Sequence, residues 1–228
     1  MLEVDLKVIK EPRIWNNLLS SQPLAFNLFG ELKLDAELTT KIFQDLYPIR
    51  NIKNVTSILF EYSPGRKNPN YTGDSSAFDV FVEYQNKENK NCFFGIEVKY
   101  AEDLNDKPSS HKSSYEKISE KSEIFDLSKL EELKENPIQQ IWRDHLLALS
   151  LFISNNDYEI GDFIYLYPTD NTNCKNGIEK YIQTFNDSKE NYFKPLTLEK
   201  LTETIKKHSS ENWIGLFENR YLRFEKIY

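Results

Sequence analysis

Glu97 and Lys99 stand two residues apart in FGIEVKYAED (residues 94–103), inside a run that is otherwise apolar. Strand side chains alternate between two faces. Glu97 and Lys99 therefore share a face with Phe93 and Gly95, while Cys92, Phe94, Ile96, Val98 and Tyr100 share the other. The preceding run AFDVFVEY (77–84) splits the same way, with Phe78, Val80, Val82 and Tyr84 on an apolar face and Ala77, Asp79, Phe81 and Glu83 opposite. If QNKENKN (85–91) closes a regular hairpin centred on Glu88, Tyr84 pairs with Cys92 and Asp79 falls opposite Glu97. Directly opposed side chains have Cβ atoms about 5 Å apart. Two carboxylates so placed repel unless a cation lies between them. A hard divalent cation such as Mg2+ takes oxygen ligands from one or two carboxylates. Lys99 lies one step further along the same face. The competing reading is a wet strand face on which Lys99 neutralises the acids. Phe81 and Phe93 on that face argue for burial, where paired acids need a partner and mark a candidate site.

These residues need a framework. From Pro23 to about Leu46, Leu24, Leu28, Leu32, Ile42 and Leu46 recur at mostly helical spacing, which predicts one or two helices. VTSILFEY (55–62) reads as a first strand and SPGRKNPNYTGDSS as a long loop. AFDVFVEY and CFFGIEVKY (92–100) are the second and third strands. Residues 101–135, lysine-rich around KPSSHKSSYEK, are expected to form a mobile excursion with one short helix near 126–134. Asn136-Pro137 reads as N-cap and first helical position, and Ile138, Ile141, Trp142, Leu146, Leu149 and Phe152 follow on one helical face. GDFIYLYP (161–168) is a fourth strand, with helices expected near 174–185 and 197–208. Trp213, Phe217, Tyr221 and Phe224 stand at helical spacing, a stripe that suits packing rather than base stacking. A meander followed by a helical crossover predicts a mixed sheet with helices packed on it.

At these residues the chain resembles the PD-(D/E)XK nuclease superfamily, the restriction-endonuclease-like fold. That pattern is an Asp on one strand, a loop, then Glu-x-Lys on the next, here Asp79 and then Glu97-Val98-Lys99. FEYSPGR, SAFDVFVEY, FGIEVKY and QQIWRDHLLAL are further similar to a group of bacterial restriction-endonuclease-like proteins. Phe78 stands where the pattern has a proline. The resemblance covers about residues 24–168. It implies one α/β domain over 1–228, with a mixed sheet of about four to five strands flanked by helices and a helical C-terminal extension over about 169–228. It implies a Mg2+-dependent nuclease acting on DNA, with Mn2+ substituting, in a restriction or defence role, leaving a 5′-phosphate and a 3′-hydroxyl. Asp79 and Glu97 would hold the metal with the Val98 carbonyl, and Lys99 would orient or help deprotonate the attacking water. A further acid would come from Glu61 or Glu31. A glutamine on the following helix would be Gln140, sharing a face with Arg143, or else Gln139.

Composition narrows the alternatives. The chain has 228 residues, 39% hydrophobic and 14% aromatic, enough for a real core. Only 7 glycines occur, and there is no GxGxxG or GxxxxGK[ST] phosphate loop. Cys92 and Cys174 form no CxxC pair, which argues against a zinc site or a disulfide framework. His111, His145 and His208 lack metal-ligand spacing, and His145 is expected near the core. MLEVDLKVIK alternates apolar and charged residues, unlike a signal peptide, and HLLALSLFIS is too short to span a bilayer. A soluble cytoplasmic protein follows as the expectation. The net charge of −7 argues against broad non-specific DNA binding, though Arg66, Lys67, Lys107, His111 and Lys112 form local basic spots. A symmetric homodimer would suit double-strand cleavage. Two rival readings remain: a non-catalytic binding module on the same fold, and a carboxylate-pair hydrolase such as a glycosidase, which leaves Lys99 without a role.

Overall fold

The computed structural model describes residues 19–102, 104–105, 108–154, 157–186 and 190–223. Five strands form one sheet in the order β1-β2-β3-β4-β5: β1 (Ile52–Tyr62), β2 (Phe78–Asn86), β3 (Asn91–Val98), β4 (Ile160–Tyr167) and β5 (Phe193–Thr197). The first three run as an antiparallel meander, and β4 and β5 add in parallel. The helices are α1 (Ser21–Leu34), α2 (Ala36–Leu46), α3 (Ser113–Ser122), α4 (Leu130–Leu133), α5 (Gln139–Ser154), α6 (Thr172–Ile182), α7 (Leu198–His208) and α8 (Asn212–Tyr221). No helix among the described residues is long and apolar enough to cross a membrane.

Local chemistry sets the register that matters. Asn86 closes the β2–β3 turn: its side-chain Oδ1 accepts from Glu88 N at 3.0 Å and Lys90 N at 2.9 Å. Asn89 takes the left-handed φ of 61° that asparagine tolerates. Tyr84 pairs with Cys92 and Val80 with Ile96, the register expected from a hairpin centred on Glu88.

Alternation then divides the core in two. Val80, Val82, Tyr84, Cys92, Phe94, Ile96 and Val98 pack with Ile164 and Leu166 against α1, α2, α7 and α8. Phe81, Phe93, Phe163 and Tyr165 pack against α3, α5 and α6. One free, buried cysteine lies in each layer, Cys92 in the first and Cys174 in the second. At the end of the sheet remote from Glu97, Arg50 donates to Asp162 from Nε and from Nη2, each at 2.6 Å, with Asp162 fully buried.

Several expectations change. The polar stretch 101–135 carries α3, whose Tyr115, Ile118 and Ser119 are buried. Trp142 Nε1 donates to Ser119 Oγ at 3.1 Å and holds α3 on α5. Helix α5 begins at Gln139, and Asn136-Pro137 lie in the turn before it. A fifth strand, β5, joins the sheet beside β4 within the stretch expected to be helical. Phe78 leaves the Val80 face for the second core, stacking at 5.7 Å from Phe81. Gly95 makes this possible: a Cβ there would meet the Phe78 ring at 2.5 Å. His145 is fully buried, as expected. Phe217 and Tyr221 are buried too, with Trp213 packed against them, while Phe224 and Lys107 lie outside the described residues.

Candidate active site

The site forms where β2 starts and β3 ends. One step beyond the Val80–Ile96 pair, Asp79 meets the end of β3, and its Oδ2 accepts from the Val98 N–H at 2.8 Å. Lys99 N donates to Leu166 O of β4 at 2.8 Å, so the backbone on both sides of this point is pinned. Glu97 and Lys99 are both buried, at 8% and 7% exposure. Lys99 Nζ donates to Glu97 Oε1 at 2.8 Å.

Helix α5 supplies the roof. Gln140 Nε2 donates to the same Glu97 Oε1 at 3.1 Å. Arg143, one helical turn on, donates from Nε to Asp144 Oδ1 at 3.2 Å and from Nη1 to Ser109 Oγ at 2.5 Å. Gln139 points elsewhere, donating to Ser109 O at 3.3 Å, so Gln140 is the glutamine that meets Glu97. Glu61 stands at the margin, close enough to act on Asp79 electrostatically, while its Oε1 accepts from Gln22 Nε2 at 2.8 Å. Glu31 is exposed and lines a separate cleft beside Trp213 and Phe217. The site thus joins Asp79, Glu97, Lys99 and Gln140, with Arg143 beside them and Glu61 at the edge.

Asp144 belongs to this group and escaped the sequence reading. It is 2% exposed, four residues after Gln140 on α5, and its Oδ2 has no hydrogen-bond partner among the described residues. An acid one turn from a site glutamine inside an apolar helical run was the available signal.

The electrostatics follow from crowding. Burial, then the neighbouring Glu97 charge, pushes the Asp79 carboxyl well above its ordinary range, against the pull of Lys99 and the Val98 N–H. Burial also drives Asp144 up to about 7, with Arg143 opposing and Glu97 adding to the rise. At Lys99, burial works against the ammonium. Glu97 first, then Asp79 and Asp144, outweigh it and hold the Lys99 pKa above its ordinary value. The site therefore concentrates three acids, Asp79, Glu97 and Asp144, around two cations, Lys99 and Arg143.

Its donor set suits a hard divalent ion. Among the described residues, Asp79 Oδ1 and Glu97 Oε2 accept no hydrogen bond, so each acid keeps one oxygen open. No group of three or more His, Cys, Asp or Glu side chains among the described residues could hold a metal. Mg2+ does not need one, since it keeps several waters and takes one or two carboxylates.

With this geometry in place, the comparison with protein families is direct. A family model of the PD-(D/E)XK nuclease superfamily matches residues 2–223, and the chain belongs to that superfamily. The mixed five-stranded sheet flanked by helices is consistent with the restriction-endonuclease-like fold. Searches of curated proteins and of solved structures each returned no match.

Proposed function

We propose that the protein is a Mg2+-dependent nuclease that hydrolyses phosphodiester bonds in DNA, with Asp79, Glu97 and Lys99 as its catalytic residues. One observation carries this reading. The Val98 N–H bond holds the half-buried Asp79 at the end of β3, where it acts on the buried Glu97, each acid with an open oxygen, beside an ammonium held in place. Such a repulsive arrangement costs stability and suits a bound cation.

Asp79 Oδ1, Glu97 Oε2 and the Val98 carbonyl are the proposed ligands. Bound there, Mg2+ or Mn2+ supplies Lewis acidity toward the phosphate and its attacking water. Gln140 and Lys99 share Glu97 Oε1 and thereby orient the carboxylate. Because Lys99 is held protonated, its part is to position the water and offset charge on a phosphate oxygen rather than to abstract a proton. Water adds to phosphorus, the bond to the 3′-oxygen breaks, and the 3′-oxygen takes up a proton. The products are a 5′-phosphate and a 3′-hydroxyl. A restriction or defence role rests on the motif resemblance alone, and a cytoplasmic location with a homodimer for double-strand cleavage completes the proposal.

The test is cleavage of plasmid and single-stranded DNA with Mg2+ or Mn2+, comparing wild type with Asp79→Ala and Lys99→Ala. Each substitution should lower the rate by at least about a hundredfold with the fold retained. A wild-type protein that cleaves nothing, and binds neither metal by calorimetry, would turn the reading toward a non-catalytic binding module.

A further inference from the structure

Next to the acid pair, a second polar cleft opens between the β1–β2 loop and the segment leading into α3. Its volume is about 280 Å3. Ser75, Ser76, Ser109 and Ser110 line it, together with Lys112 and Arg143. All but Arg143, which comes from α5, lie in the two stretches SPGRKNPNYTGDSS and KPSSHKSSYEK, to which the catalytic reading gives no role.

The cleft is a built structure. Ser114 Oγ donates to Thr72 O at 2.5 Å, and the buried Tyr115 hydroxyl donates to Asp74 Oδ2, so α3 grips the β1–β2 loop at two points. Asp74 also lines the cleft, but its acceptors are spent on its own wall: Oδ1 takes the Thr72 hydroxyl at 2.9 Å and the Ser76 N–H at 2.8 Å. Those bonds outweigh burial and hold its carboxyl below the usual range, so it stays an acceptor in place. The other polar side chains of the lining, those of Ser75, Ser76, Ser109, Ser110, Lys112 and Arg143, all carry donors. Ser109 Oγ accepts from Arg143, which leaves its own proton to give. Lys112 and Arg143 bring two cations to the cleft, with Asp74 on its wall and Asp144 behind Arg143.

Arg143 joins the two pockets. Its Nε holds Asp144 at the active site, and its Nη1 holds Ser109 at the cleft. Hydroxyl protons, an ammonium and a guanidinium converging on one cleft match a phosphate group.

We propose that this cleft binds a second phosphate of the substrate strand, so that the strand is held at two points with Arg143 between them. The inference rests on the nuclease reading for the identity of the strand. It assigns to Lys112 of the long loop and Arg143 of α5 the anchoring that an acidic protein cannot obtain from its overall charge.

The experiment separates binding from chemistry. Fluorescence anisotropy follows a short fluorescein-labelled DNA strand, and the matching RNA, in EDTA over a salt series. Each strand carries either a 5′-hydroxyl or a 5′-phosphate. The variant is Ser110→Ala/Lys112→Ala, whose positions are exposed. Lys90→Ala, in the β2–β3 turn, controls for the loss of one charge. Loss of a phosphate contact should weaken binding by about tenfold and reduce the slope of log K against log salt by about 0.7 for a single strand. Lys90→Ala should change neither. An effect on both ends identifies an internal phosphodiester as the ligand, and an effect confined to 5′-phosphorylated strands identifies a terminal phosphate. Unchanged affinity and slope in the double variant overturn the proposal, as does a wild type that binds no strand. Adding Mg2+ tests the other reading separately. Cleavage with an unchanged slope keeps the nuclease and discards the cleft, whereas cleft-dependent binding without cleavage does the reverse.

Discussion

Asp144 and His145 are neighbours on α5 with opposite responses to protons. Burial drives the Asp144 carboxyl up to about 7 and drives the His145 imidazole down to about 3, where its Nδ1 meets the Tyr181 hydroxyl at 2.8 Å. A raised acid contributes stability that is full below its unfolded value of about 4 and is lost as pH rises through its folded value. A lowered histidine contributes stability that is full above its unfolded value of about 6.5 and is lost as pH falls through its folded value. Between about pH 4 and 6.5 the two slopes oppose each other. Asp144→Asn should therefore make stability rise more steeply with pH across that window, by about 1 kcal/mol per unit. His145→Gln should tilt the slope the other way by a similar amount. Urea unfolding in EDTA at several pH values reads both. If neither variant departs from the wild-type slope, these two groups do not titrate as their burial requires.

Among the elements, β3 carries the most constraint. On its site face Gly95 leaves the room that the Phe78 ring fills, and Phe78 precedes Asp79. Gly161 of β4 does the same for the Phe93 ring, which a Cβ would meet at 2.0 Å. Either glycine replaced by alanine should cost about 1–3 kcal/mol through overpacking. Gly95→Ala should in addition lower any cleavage rate, because the displaced ring adjoins Asp79. Gly161→Ala should lower stability alone. Equal losses of cleavage in the two variants, each corrected for its folded fraction, would refute that distinction. Much of this region was legible beforehand. Alternating β-branched and aromatic residues marked β2 and β3, and an asparagine-rich turn of regular length set their register. Helix α3 was not legible, because SSYEKISEKS offers only two apolar side chains, Tyr115 and Ile118, to the core and reads as solvated charge. Strand β5 is five residues long and contains Pro195, which argues against a strand on local grounds. Phe78 followed the room left at Gly95 on the neighbouring strand β3 rather than its own alternation.

At the scale of the molecule, the sheet separates two layers, and one buried ion pair fastens the turn after α2 to β4. Arg50→Met would leave the fully enclosed Asp162 with only the more distant Lys194, at 3.7 Å, which should cost about 3–5 kcal/mol. Arg50→Met/Asp162→Leu should recover most of that loss, as buried pairs replaced by apolar groups commonly do. Chemical denaturation distinguishes the cases, and a single variant no worse than the double would show that Lys194 or protonation compensates Asp162. The same two-layer plan gives the protein a matched pair of internal clocks. Each layer holds a single thiol, and burial raises both, Cys174 to about 11. A thiol is alkylated as its thiolate, so each can react only when its own layer opens to solvent. The rate at Cys92 times the breathing of the α1, α2, α7 and α8 side, and the rate at Cys174 times the side that roofs the acids, with no label added to the chain.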